Sequence, residues 1–151
     1  MPILETPEDR ALQVDTADRL AQLWRCTITH FPRFSPIDWY SSRDGQLAAL
    51  LELKCRHHGS EKFSTVFFGV DKWLALQQGA VGLRVPGMVV FRFHDGVFFI
   101  ALRDIDASKT ALASAAGEAT ELVIEIPVAS LKLALAVDPA KKTLAASVGT
   151  L

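Results

Sequence analysis

The residues with the clearest potential for chemistry are Asp38, Glu52 and Lys54, which combine two carboxylates and an amine. Neighbouring carboxylates are hard oxygen ligands that suit magnesium, and they repel each other unless a cation or a shared proton intervenes. A lysine close to them can orient a water molecule or stabilise the charge of a phosphate. Such a set is typical of a site that holds a divalent cation beside a phosphodiester.

The segment 36–56 predicts a β-hairpin that brings these three side chains together. Its turn, residues 41–45, ends in Asp-Gly, the strongest short hairpin pattern. A loop centred near position 44 gives antiparallel partners whose numbers sum to about 89–91, so Asp38 lies opposite or nearly opposite Glu52. Because side chains alternate along a strand, Glu52 and Lys54 share one face of the second strand.

A purely structural role for the three residues is the alternative. Glu-x-Lys on a strand is commonplace and usually belongs to a solvated amphipathic face. Here, however, residues 47–53 are apolar apart from Glu52, as in a central strand buried on both faces, where charges without partners are unfavourable. The charges therefore require either a ligand or one another, and the alternative to a metal site is a salt-bridged trio.

The pattern Ile37-Asp38, thirteen further residues and then Glu52-Leu53-Lys54 after an apolar run resembles the PD-(D/E)xK nuclease superfamily. The resemblance implies that Asp38, Glu52 and the main-chain carbonyl of Leu53 bind Mg²⁺, for which Mn²⁺ can substitute. It also implies that Lys54 aligns the attacking water.

The same resemblance implies an accessory acid on the first helix. Asp15 and Asp18 are the candidates, although helix capping also accounts for both residues.

The predicted elements follow the order of that superfamily. The first expected element begins at Thr6-Pro7 and runs to about Cys26, either as one helix or, because Asp15-Thr16 offers a second start, as two short ones. It is followed by the hairpin, a third strand at 63–68, a helix at 72–78 ended by Gly79, and strands at 88–93 and 97–103. This order resembles the α-β-β-β-α-β core of restriction-endonuclease-like proteins. The predicted fold class is α/β (α+β), with a central mixed β-sheet flanked by helices.

The chain is expected to form a single domain, residues 1–151, with a core at about 8–103 and a C-terminal extension at about 104–151. A length of 151 residues, half of them hydrophobic, is enough for one core and too short for two domains of ordinary size. Extra strands are predicted in the extension, at 121–126 and 131–137.

The formal net charge of −1 argues against a protein that coats DNA, because phosphate neutralisation usually requires a basic excess. A local basic groove is still allowed, since basic residues concentrate in the middle of the chain. The candidate DNA contacts are Arg56, His57, Lys62 and Lys72. With so little positive charge, placement of DNA is expected to need a homodimer or a partner protein.

The sequence predicts a cytoplasmic protein without a membrane segment. No apolar run approaches the ~20 residues of a membrane helix, and the acidic N-terminus lacks the pattern of a signal peptide. Cys26 and Cys55 have no Cys-x-x-Cys spacing, so they are interpreted as reduced thiols.

Three functions remain open from the sequence. The first is a metal-dependent nuclease that hydrolyses phosphodiester bonds in DNA, an endonuclease of the compact phage or mobile-element type, acting on branched or distorted DNA. The second is a catalytically inactive nuclease-fold binding or assembly module, in which Asp38, Glu52 and Lys54 form a structural ion-pair cluster. The third is a nucleic-acid binder without catalysis.

Overall fold

The computed structural model describes residues 6–114, 120–138 and 143–146. Two α-helices and ten strands form in these ranges, joined in places by short 3-10 turns. The helices are α1 (Pro7–Trp24) and α2 (Val70–Leu83). The strands are β1 (Thr27–His30), β2 (Trp39–Arg43), β3 (Gln46–Cys55), β4 (Thr65–Gly69), β5 (Gly87–Phe93), β6 (Gly96–Ala101), β7 (Thr110–Ala113), β8 (Glu121–Pro127), β9 (Lys132–Asp138) and β10 (Thr143–Ala146).

The strands form two sheets. A seven-stranded sheet has the order β1-β2-β3-β5-β6-β9-β10, and a three-stranded sheet has the order β4-β8-β7. In the larger sheet β3 and β5 are parallel while the other neighbours are antiparallel, so the sheet is mixed, as predicted. The fold class is thereby confirmed, and the C-terminal third supplies further strands to both sheets.

The larger sheet buries both of its faces. On one face, the side chains of Leu51 and Leu53 pack with α1, around Leu20 and Trp24. On the other face, Leu50 and its neighbours pack with α2 and the smaller sheet. Strands buried on both faces are nearly continuously apolar, which explains the composition of β3 and makes a charged residue within it conspicuous.

The β2–β3 hairpin has the register that the sequence predicts. Trp39 pairs with Leu51, and the same register extended by one residue sets Asp38 opposite Glu52. The turn residues Asp44 and Gly45 both have positive φ, 53° and 75°, as a two-residue hairpin loop of the favoured twist requires. A bulge at Ser41/Ser42 shifts the pairing near the turn, but the end that carries Asp38 keeps its register.

Two predictions about the strands need correction. The third predicted strand, observed as β4, pairs with β8 in the smaller sheet rather than joining the hairpin in the central sheet. In addition, β1 forms at the edge of the larger sheet, paired with β2, at a position where no strand was predicted. The partner of β4 was not predictable because a short strand can be recognised from its own residues, whereas its partner is chosen by distant parts of the chain. β1 was missed because a strand of four residues is too short for its alternation to be a clear signal.

The predicted end of the second helix at Gly79 is also wrong, because α2 continues to Leu83. A Cβ at Gly79 would lie 2.6 Å from Cδ1 of Ile37 and 2.9 Å from Cδ1 of Leu50. The glycine thus permits close approach of the helix to β3 and to the residue that precedes Asp38, and it does not act as a stop.

The first helix is a single element. Thr6 caps it and forms a capping box with Asp9, and Arg25 ends it in a left-handed conformation. Asp15 and Asp18 therefore lie within the helix, and neither caps it. In the described ranges, neither helix is both long and apolar enough to cross a membrane.

Candidate active site

The structure brings Asp38, Glu52 and Lys54 together at the end of the hairpin opposite its turn. Asp38 lies immediately before β2, and its backbone N–H donates a hydrogen bond of 3.3 Å to Oε1 of Glu52. The other oxygen of Glu52, Oε2, lies 4.0 Å from Nζ of Lys54. Both side chains of β3 project from the face that α2 covers, as the alternation along the strand requires.

Glu52 is the unusual member of the group. Its side chain is fully buried, with 0% exposure, and Oε2 has no hydrogen-bond partner in the parts of the chain that the structure describes. Burial, reinforced by the negative charge of Asp38, raises the pKa of Glu52 to about 8, although Lys54 and Lys72 act in the opposite direction. The free energy of a carboxylate at this position is therefore high until a positive charge or a proton compensates it.

A second lysine joins the group from α2. Nζ of Lys72, in the first turn of that helix, lies 3.6 Å from Oδ1 of Asp38. The side chains of Asp38, Lys54 and Lys72 are each about a quarter to a third exposed. The site therefore has a buried floor, Glu52, and a rim of three charged groups that reach solvent.

The backbone of β3 places the carbonyl of Leu53 at the edge where β2 has ended. The N–H groups of Leu50 and Arg56 bond to carbonyls of residues 86 and 92, on the β5 side. Because backbone groups alternate between the two edges of a strand, the amide and carbonyl of Leu53 point to the opposite edge, toward the hairpin partner. That is the side from which Asp38 approaches Glu52.

This donor set fits a hard cation. Over the described ranges, no cluster of three or more histidine, cysteine, aspartate or glutamate side chains could hold a metal. Magnesium is usually bound by one or two carboxylates and retains several waters, so the two carboxylates and one main-chain carbonyl suffice. The unpartnered Oε2 of Glu52 is the group in the site that most requires a positively charged ligand.

The structure does not bring the two candidate accessory acids to this site. Asp15 lies on α1, across the sheet from the side chain of Glu52, and accepts a 2.9 Å hydrogen bond from Arg92. It also forms an ion pair of 3.7 Å with Arg19. Asp18 is exposed on the same helix.

The acid that α1 brings to the end of β3 is Asp9, which was not among the candidates predicted from the sequence. Its Oδ1 lies 2.7 Å from Nε2 of His57. Burial opposes ionisation of Asp9, but hydrogen bonds from Thr6 and the contact with His57 lower the pKa of its carboxyl below the usual value. No local pattern predicts this pair, because it depends on how the helix packs on the sheet.

The candidate DNA contacts have different surroundings. The guanidinium of Arg56 donates to the carbonyl of Phe67 at 2.7 Å and lies over the ring of Phe91, so it ties β3 to β4. His57 is 61% exposed and paired with Asp9. Lys62 is exposed, with its Nζ over a neighbouring ring, and Lys72 is held at Asp38.

Comparison with known proteins identifies the class of protein that this fold and site define. Residues 1–132 match the family described as "Phage putative PDDEXK endonuclease". Because the match spans most of the 151 residues, the chain belongs to this endonuclease family, and the predicted resemblance to the superfamily is confirmed.

Two solved nucleases have similar structures. The Holliday junction resolvase of Archaeoglobus fulgidus matches with a TM-score of 0.48 and 15% identity, over 75% of this chain and 82% of that one. A nuclease from a fusselovirus matches with a TM-score of 0.48 and 13% identity, over 88% of this chain and 90% of that one. No curated protein matches the chain significantly.

Proposed function

We propose that this member of the family is a magnesium-dependent endonuclease that hydrolyses phosphodiester bonds in DNA. The observation that carries the proposal is the state of Glu52, which is fully buried, has one oxygen without a hydrogen-bond partner and has a pKa raised to about 8. A side chain with these properties favours a cation as its ligand. The carboxylate of Asp38 is close enough to raise the pKa of Glu52, so the two acids can share that cation.

The alternative, a structural ion-pair cluster, is less compatible with this chemistry. A cluster that stabilises its carboxylates by mutual salt bridges lowers their pKa values. Lys54 and Lys72 do lower the pKa of Glu52, but burial and the charge of Asp38 raise it by more, so that the pKa of Glu52 ends well above its usual value. Lys54 also lies 4.0 Å away, beyond hydrogen-bond distance. The lysines therefore leave the need of Glu52 for positive charge unmet.

Each residue of the site has a distinct proposed role. Asp38, Glu52 and the carbonyl of Leu53 would hold Mg²⁺, or Mn²⁺ in its place. When bound, such a cation supplies positive charge that makes water more acidic and neutralises charge on the scissile phosphate. Lys54, at the rim, orients the attacking water and donates hydrogen bonds to it. Lys72 fixes the carboxylate of Asp38 in the orientation in which it faces the site.

Electrostatic preorganisation is the means that meets the energetic demand. Hydrolysis of a phosphodiester requires transition-state stabilisation on the order of 20 kcal/mol, and fixed charges in a site shielded from water provide the largest single contribution. The buried floor and charged rim match that requirement. They act only on a phosphate that is held in place.

The placement of DNA is expected to involve a second copy or a partner protein. The chain has a net charge of −1, so it lacks the basic excess of proteins that hold long stretches of duplex. A branched or distorted DNA substrate suits such a protein, because its shape supplies part of the recognition. The proposal includes the cytoplasmic location that the sequence predicts.

The test of the nuclease function is cleavage of supercoiled plasmid, linear duplex and a four-way junction with Mg²⁺ or Mn²⁺, against EDTA. The wild type is compared with Lys54→Ala and with Lys132→Ala, in which a lysine exposed on β9 is removed. The expected result is metal-dependent cleavage that Lys54→Ala abolishes and Lys132→Ala retains. Equal cleavage by wild type and Lys54→Ala would indicate a contaminating nuclease and defeat the proposal.

Metal binding has a separate readout. Mg²⁺ or Ca²⁺ should raise the melting temperature of the wild type, since a ligand that binds only the folded state stabilises it. Asp38→Asn should remove that shift. A melting temperature indifferent to both cations would support the ion-pair cluster instead.

A further inference from the structure

Phe34 is the most exposed large hydrophobic residue among those that the structure describes. Its side chain is 93% accessible, and it lies in the loop that leads from β1 to Asp38, residues 31–38, here named the 31–38 loop. A phenylalanine ring held almost wholly in water is unfavourable by the full hydrophobic free energy of its surface. The position is therefore one at which packing within the chain does not explain the residue.

The backbone at Phe34 is also unfavourable. Its φ is 75°, in the left-handed region that bulky residues rarely occupy. It follows Arg33 in a turn closed by a 3.1 Å hydrogen bond from the N–H of Ser35 to the carbonyl of Pro32. Glycine is the usual residue where a turn demands positive φ. Strain of this kind is found preferentially at sites that bind ligands, so the ring at this position calls for a functional explanation.

The base of the loop is fixed beside Asp38, which keeps Phe34 near that residue. The N–H of Phe31 donates a 2.8 Å hydrogen bond to the carbonyl of Asp38, which closes the base of the loop. The ring of Phe31 also packs against Tyr40 of β2, with centroids 4.7 Å apart. Four peptide steps separate Phe34 from Asp38, so their Cα atoms lie at most about 14 Å apart.

The exposed groups beside the ring are suited to nucleic acid. The guanidinium of Arg33 lies 5.3 Å from the ring centroid of Phe34, so a cation and an aromatic face are presented together. Pro32 and Pro36, both exposed, flank the pair and restrict the backbone. Protein interfaces are marked by contiguous exposed apolar patches of several residues. Within this loop the ring of Phe34 is surrounded by the Arg33 guanidinium and two prolines instead of further apolar side chains. An aromatic face beside a cation fits a flat base next to its phosphate.

We propose that Phe34 stacks on an unpaired or unstacked base of the DNA, with Arg33 on the adjoining phosphate, and so positions the strand whose backbone reaches Asp38. This inference rests on the proposed nuclease function and adds the substrate feature that the protein recognises, a base accessible outside a continuous duplex stack. Phe34 is a positioning residue, since it contacts the substrate away from the reacting phosphate.

The experiment measures binding without cleavage. Wild type, Phe34→Ala, Phe34→Leu and Phe34→Trp are titrated in EDTA onto forked duplexes that carry 2-aminopurine at unpaired positions next to the fork. Stacking on an aromatic ring quenches 2-aminopurine and contributes roughly a 5- to 150-fold change in affinity per base. The expected result is quenching with the wild type and Phe34→Trp, and about tenfold or greater loss of affinity with both Phe34→Ala and Phe34→Leu.

The leucine variant separates a stacked base from a protein partner. Leucine keeps the apolar surface and loses the aromatic face, so a wild-type-like Phe34→Leu, or a change of oligomeric state on Phe34→Ala in sedimentation, would assign Phe34 to a protein contact. Either outcome overturns the inference. Melting temperatures of all variants establish that they are folded.

Failure of this inference differs from failure of the nuclease function. If the wild type binds forked DNA and cleaves it with Mg²⁺ while Phe34→Ala does both equally well, only the role of Phe34 is refuted. If the wild type neither binds nor cleaves any DNA, both proposals are refuted together.

Discussion

At the scale of the residue, Glu52 couples the candidate site to pH. Its pKa is raised to about 8 from the value of 4.5 that applies in an unfolded chain. The folded protein therefore binds a proton at Glu52 that the unfolded chain releases between these values. Without a metal, the free energy of unfolding falls as pH rises from about 4.5 to about 8.

Glu52→Gln removes this dependence. Glutamine keeps the shape of the side chain and cannot ionise, so the variant should unfold like the wild type near pH 4.5 and be more stable, by roughly 1 kcal/mol or more, near pH 9. Urea denaturation in EDTA across this range measures the difference. Glu61→Gln, at an exposed position, is the control and should follow the wild type. A gap between Glu52→Gln and wild type that does not grow with pH would contradict the assignment.

The two lysines should have separable effects. Both lower the pKa of Glu52, but only Lys54 is proposed to act on water. Lys72→Ala should move the acidic limb of the pH–rate profile upward, on the order of half a pH unit, and retain activity. Lys54→Ala should reduce kcat by about 100-fold or more at every pH. Equal kcat losses without a shift of the profile for Lys72→Ala would place both lysines in the same role.

At the scale of the element, two glycines of α2 make a matched pair. A Cβ at Gly79 would meet Ile37 and Leu50 at 2.6 and 2.9 Å, whereas nothing lies within 4 Å of a Cβ at Gly82. Gly82→Ala should therefore stabilise the protein by about 0.5–1 kcal/mol through helix propensity alone. Gly79→Ala gains the same propensity but must displace packed side chains, so we expect a net loss of about 1 kcal/mol or more.

The same pair tests how the site is positioned. Ile37 precedes Asp38, so its displacement by Gly79→Ala should lower the rate of cleavage per folded molecule, while Gly82→Ala leaves that rate unchanged. Thermal unfolding and single-turnover cleavage give the two quantities. A rate for Gly79→Ala equal to that of Gly82→Ala would show that α2 does not position Asp38.

The elements also show what the sequence can and cannot predict. The hairpin and its register follow from local information, the Asp-Gly turn and the alternation along β3, so the meeting of Asp38 with Glu52 is predictable. Contacts between distant segments decide that β4 pairs with β8 and that α2 continues beyond Gly79. The contact of Lys72 with Asp38 is of the same kind, because the sequence does not specify which face of α2 meets the hairpin.

At the scale of the whole molecule, the two buried faces of the larger sheet differ in what they bury. One face packs wholly apolar side chains of β3 against α1. The other face buries Glu52 beside an apolar cluster and brings α2 over it. The large core that this arrangement provides can support the destabilising charge of Glu52, in the way that active sites generally depend on stability supplied elsewhere.

The net charge of −1 leads to a prediction about salt. With two or three phosphate contacts per chain, the logarithm of DNA affinity should fall against the logarithm of NaCl concentration with a slope between about −2 and −3, a loss of roughly 15- to 60-fold from 50 to 200 mM. A homodimer in which both chains contact one DNA molecule should double this slope. Anisotropy titrations of a four-way junction measure the slope, and sedimentation under the same conditions measures the mass of the complex. Lys62→Ala, at an exposed candidate DNA contact, should reduce the slope by about one per bound chain. A wild-type slope steeper than about −8 would reveal an extended basic surface that this charge balance excludes.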